Sequence, residues 1–177
     1  GEALILEDSV SITTERSINA EYLTFNADYS LQLNFVLQDF KENDTGLEYI
    51  GSGRQQMGDG GFIAQFKDLA SNKLIASSND SWKCLVIHEA PLDKSCEGSS
   101  DPIAGEGACQ FRSIPEPLGW KALDFDDSAW PDARVHSARS IGPKGGYDGI
   151  EWDSAAELIW SEDLESDNTL LCRATIQ

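Results

Sequence analysis

The sequence predicts an all-β fold, a single-domain β-sandwich over residues 1–177 with long irregular loops. Three observations lead there. Apolar residues recur with period two in several short runs; in the clearest, Tyr29, Leu31, Leu33, Phe35 and Leu37 would share one face of a strand. No segment sustains the 3.6-residue period of a helix, and no internal repeat is visible. The runs are separated by clusters of Gly, Pro, Asn, Asp and Ser, the residues that turns require. A chain of this length can bury a sizeable core in one such domain.

The elements follow in order. Val10-Ser11-Ile12-Thr13 alternates as a first or edge strand, Tyr22-Leu23-Thr24-Phe25 as a second, and residues 29–37 as a third. A charged loop at 41–46 leads to the strand Leu47-Glu48-Tyr49-Ile50. The Gly-rich residues 51–61 read as a long flexible connection, because they lack G-x-x-x-x-G-K-[ST] and open a strand instead of a helix. Residues 62–66 and 73–77 flank a short linker at hairpin spacing. Residues 82–88 are apolar at both parities, as a central strand covered on both faces would be. Residues 89–117 form an excursion pinned by cysteines. In Phe125-Asp126-Asp127-Ser128-Ala129-Trp130, an Asx-type turn would lock a buried aromatic at a sandwich corner, ahead of a strand at 133–137. A second Gly-rich excursion, 139–149, ends near Trp152; residues 153–157 supply at most a turn of helix, and 156–161 and 170–176 the last strands.

Charge and cysteines narrow the function classes. The formal net charge is -18, from 31 acidic and 13 basic residues, which opposes contact with nucleic acid or an anionic membrane surface and favours cations. No apolar run approaches the roughly 18 residues that span a bilayer. The opening residues lack the basic region of a signal peptide, which fits a cytosolic protein or a mature secreted one. The four cysteines include no C-x-x-C pair, so two disulfides in an oxidising compartment are expected, with four free buried thiols as the alternative. Of the three connectivities, Cys84 with Cys172 would cross-link two strands, and Cys96 with Cys109 would close the loop between them.

Chemistry is sparse. His88 and His136 are the two histidines, each at the end of a strand-like run. If Leu85 and Ile87 face the interior, and Ala133 and Val135 likewise, both imidazoles project from the outer side of the sheet. There they could share copper, zinc or nickel, or be exposed or hydrogen-bonded singly. Residues 124–135 begin like an EF-hand loop but place Ala129 and Val135 where Gly and a bidentate Glu are needed. The adjacent aspartates cap a turn more readily than they form a glycosidase pair. No G-x-S-x-G or catalytic triad is visible, so no enzymatic activity is expected. Asn43-Asp44-Thr45 and Asn79-Asp80-Ser81 match the glycosylation sequon.

Residues 82–88, the FDDSAWP turn and Leu158-Ile159-Trp160-Ser161 ahead of a final strand containing Arg173 together resemble a galactose-binding-like jelly-roll domain. The two histidines, the acidity and the paired cysteines resemble CorA/MopE-type copper-binding surface proteins of methanotrophic bacteria. That resemblance implies one Cu(I) held by His88, His136 and a Trp oxidised to kynurenine. Val86 and Arg134 stand two residues before the histidines, so the implied oxidised residue is Trp152, with Trp82 and Trp130 in reserve. Cu(I) accepts few donors, and an opened indole offers the amine that an intact one lacks. The expectation is a secreted or outer-surface monomer that acquires or stores copper. The alternative is a calcium-dependent carbohydrate-binding or adhesive jelly roll without a transition metal.

Overall fold

The first strand follows from its alternation: in β1 (Leu31–Gln38), Phe35 and Leu37 turn to the core while Val36 faces outward and stays 45% exposed. The computed structural model describes residues 3, 5, 20–143 and 145–176; the expected strand at 10–13 lies outside them. Residues 22–25 form no strand, contrary to their pattern. Tyr22 and Leu23 are exposed, and alternation without a paired ladder does not hold a strand in water.

Short elements follow. β2 (Leu47–Glu48) and β3 (Gln56–Met57) pair antiparallel around a turn with positive φ at Tyr49 and Gly51. The stretch expected to be a loose connection therefore supplies half of a hairpin, and Met57 packs on Leu47 and the Cys96–Cys109 bridge. β4 (Gln65–Lys67) and β5 (Leu74–Ser77) form the expected hairpin, with Asp68 Oδ1 accepting the Ser71 N–H at 2.7 Å in its turn. β6 (Lys83–Glu89) leads to a 3-10 helix, Lys94–Gly98, capped by Asp93, and then to β7 (Arg112–Ser113). β8 (Arg134–Val135) precedes α1 (Ala138–Ile141), which has Ser137 as its N-cap and Gly142 in the left-handed region beyond it. Residues 153–157 make a turn but no helix: Asp153 Oδ1 accepts the Ala155 N–H at 3.0 Å and the Asp153 carbonyl accepts the Ala156 N–H at 2.9 Å. β9 (Ile159–Trp160) and β10 (Asp167–Ile176) complete the strands.

Four strands form one antiparallel sheet in the order β1-β10-β6-β7. β10 is central and covered on both faces. Leu170 and Cys172 join Leu37, Trp82, Cys84, Ala133, Ile159 and Trp160 in the main core, while Leu171 turns the other way to Trp120 and Trp130. β6 is covered on both faces as expected: Cys84 and Val86 take the first side, Leu85 and Ile87 the second. Burying one such Leu or Val contributes about 1.5–3 kcal/mol. The β8–β9 ladder abuts the main core, and Phe62 bridges Ile159.

Both expected disulfides form, and no free cysteine remains. Cys84 and Cys172 are directly opposed partners of the β6–β10 ladder. The acidic turn is the expected Asx turn: Asp126 Oδ1 accepts the Ser128 N–H at 3.0 Å, and Trp130 packs on Phe125 and Trp120. Arg173, 2% exposed, ties this turn to β10 by donating to Asp127 Oδ2 at 2.7 Å and to the carbonyl of Trp120. Among the described residues, no helix is long and apolar enough to cross a membrane.

Candidate metal centre

The histidines occupy different surroundings. His88 is buried, not outward-facing, because Cys84 and Val86 on its side of β6 turn to the main core and the Cys84–Cys172 bridge holds them there. Its Nδ1 lies 3.0 Å from Asn168 Oδ1, its Nε2 lies 3.1 Å from Asp44 Oδ1, and Phe111 stacks on its ring. Burial, followed by the nearby Lys41 charge, lowers its pKa. His136 is half-buried, with Nε2 at 2.8 Å from the Ser161 carbonyl, beside a shallow hollow of about 440 Å³ that Asp80, Arg134 and Glu162 also line.

Lys83 and Asp132 form an antiparallel bridge, so the chain runs from that point toward His88 in one direction and toward His136 in the other. The two imidazoles share no hydrogen-bonding partner, and both nitrogens of His88 already face polar groups.

The tryptophans are similarly dispersed. Trp152 stacks on Tyr147 and donates its indole N–H to the Tyr147 carbonyl at 3.0 Å. Trp82 is buried against Phe35 and donates to the Ser77 carbonyl at 3.0 Å, and Trp130 lies in the second core. Each indole serves packing where it stands.

The structure assembles a site that the sequence reading did not single out. Asp39 just after β1, Glu48 on β2 and Asp59 just after β3 bring carboxylate oxygens within 4.8 Å of one another; among the described residues, no other group of three or more His, Cys, Asp or Glu does so. The β1 end is fixed by the Asp39 N–H donating to the Asn168 carbonyl at 2.8 Å. Gly58 permits the approach, since a Cβ there would fall 1.7 Å from Asp39 Oδ2. Gly60 seats the loop on the core: its N–H bonds the Leu164 carbonyl at 3.0 Å, and a Cβ would lie 2.4 Å from the Trp160 ring.

Electrostatics make the cluster costly as bare carboxylates. Burial, then the charges of Asp59 and Glu48, push the Asp39 carboxyl up to about 8 from 3.8, although the amides of Phe40 and Asp59 donate to it. Asp39 Oδ2 is itself buried without a partner. Three carboxylates from separate segments form an all-oxygen donor set suited to a hard cation. Ca²⁺ suits such a set, since it takes oxygen ligands at about 2.3–2.6 Å in flexible geometry. The signal available in the sequence was Gly58-Asp59-Gly60-Gly61, where an Asp sits among residues with no side chain. No protein-family model, curated protein or solved structure matches this chain.

Proposed function

We propose that this chain is an extracellular calcium-binding β-sandwich module of jelly-roll type, with Asp39, Glu48 and Asp59 holding the ion. One observation carries the reading: three carboxylates from three segments converge, and one of their oxygens, Asp39 Oδ2, is buried without a partner. The ion would offset the mutual repulsion and fasten the β2–β3 hairpin to the end of β1. The two disulfides support an oxidising compartment. An adhesive or carbohydrate-binding role is the reading that suits such a module.

Copper acquisition through His88, His136 and an oxidised Trp152 is the rival reading. The opposed directions of the chain from the Lys83–Asp132 bridge weigh against it. Equilibrium dialysis with elemental analysis separates the two. About one calcium per chain, lost in Asp39→Asn, is expected; one copper per chain, lost in His88→Ala and in His136→Ala, with Trp152 heavier by the roughly four mass units of a kynurenine, would overturn the calcium reading.

A further inference from the structure

Among the described residues, two buried side-chain polar atoms lack a partner: Asp39 Oδ2 and Asn168 Nδ2. They belong to one rung of the sheet. Gln38 pairs with Thr169, and the next step of that ladder carries the Asp39 N–H to Asn168 carbonyl bond. Side chains directly opposed in an antiparallel pair leave the same face with Cβ atoms about 4.5–5.5 Å apart. A buried acceptor and a buried donor on the same rung that do not bond each other mark a place where a third group fits.

Asn168 is fully buried, and it is the extra residue of a bulge in β10: Asp167 faces Glu89, Thr169 faces His88, and Asn168 lies between them. The bulge sets its carboxamide against His88 Nδ1. The other ring nitrogen faces Asp44, whose carboxylate only accepts, so the ring presents Nε2–H there. In a neutral imidazole Nδ1 is then an acceptor, and it needs an N–H from Asn168. The oxygen and nitrogen of a carboxamide are nearly isosteric, so the group fits equally well turned end for end. Turned so, Asn168 donates Nδ2–H to His88, the unpartnered donor disappears, and the amide oxygen takes its place on the rung it shares with Asp39.

We propose that Asn168 is a fourth oxygen ligand of the Asp39, Glu48 and Asp59 cation site, and that His88, oriented by Asp44, holds the Asn168 oxygen toward the ion. The inference rests on the calcium reading and adds to it. It makes His88 a positioning residue for a hard divalent cation.

Two measurements test it. Nitrogen-15 NMR of the wild-type protein reads the His88 tautomer directly: Nε2–H is expected, and Nδ1–H overturns the proposal. Calorimetric titration with calcium chloride should show Asn168→Ala binding about 10–100-fold more weakly than wild type. Wild-type affinity in Asn168→Ala, with binding abolished in Asp39→Asn, would overturn the Asn168 assignment and leave the calcium site standing. No calcium bound by the wild type would overturn both. If Asn168→Ala does not fold, the tautomer measured in the wild type decides.

Discussion

Gly58 lies against Asp39 so closely that a methyl group on its Cα would occupy the place of Asp39 Oδ2, only 1.7 Å away. The carboxylate cluster therefore depends on a residue that contributes no ligand. Gly58→Ala should push the Asp39 carboxyl aside and weaken calcium binding about tenfold or more while both disulfides still form. Calorimetry, with a thiol count as the control, checks this.

The protonation of Asp39 gives the metal-free protein an unusual pH profile. Its folded pKa of about 8 lies above the ordinary 3.8, so between those values the native state holds a proton that the unfolded chain has released. The associated stability is full below pH 4 and is lost as pH rises toward 8. Asp167, raised chiefly by burial, acts in the same direction, whereas Asp163 and Asp44, both lowered, act oppositely at acid pH. Urea unfolding in a chelator should show a loss on the order of a few kcal/mol between pH 5 and 8.5. Calcium should cancel it.

Asp39→Asn separates the roles of charge and ligand. The variant removes the buried carboxylate, so without metal at pH 8.5 it should be more stable than wild type, by about 1–3 kcal/mol. Adding calcium should shift its midpoint little and raise that of the wild type. A wild-type response in the variant would remove Asp39 from the site.

Arg173 anchors the acidic turn to the central strand. Arg173→Ala strands the partly buried Asp127 carboxylate and strips the Trp120 carbonyl of its donor. It should cost about 3–5 kcal/mol. Trp120 and Trp130 lie in the core that this arginine borders, so their fluorescence should shift to the red in the variant.

The Cys84–Cys172 bridge closes a loop of 88 residues between two neighbouring strands. Replacing both cysteines with Ala should cost about 2–5 kcal/mol, more than opening the Cys96–Cys109 bridge, whose cysteines are 13 residues apart. Chemical denaturation of the two double variants ranks them.

Local patterns carried much of the fold. Residues 31–37 alternate and form β1, residues 83–88 are apolar at both parities and lie between two cores, and the two disulfides join strand to strand and close the stretch between Cys96 and Cys109. The misreadings came where tertiary context decides. Residues 22–25 alternate but have no ladder, and Met57 enters a hairpin because Leu47 is there to meet it. Strand parity placed Cys84, Val86 and His88 together on one face, but the rule does not say which face is inside; the packing of Cys84 and Val86 in the main core does. Beyond the glycines around Asp59, nothing marked the carboxylate cluster, because Asp39, Glu48 and Asp59 are irregularly spaced and each is ordinary in so acidic a chain.

The central strand of the sheet comes from residues 167–176, and the two strands that flank it lie far earlier, at 31–38 and 83–89. A growing polypeptide thus carries both hydrophobic cores open until its last strand is made, and Cys84 waits as a thiol while Cys96 and Cys109 emerge within reach of it. Before β10 is made, Cys84 has only Cys96 and Cys109 as possible partners, so its native bridge to Cys172 forms after that strand, whereas the Cys96–Cys109 bridge does not wait for it.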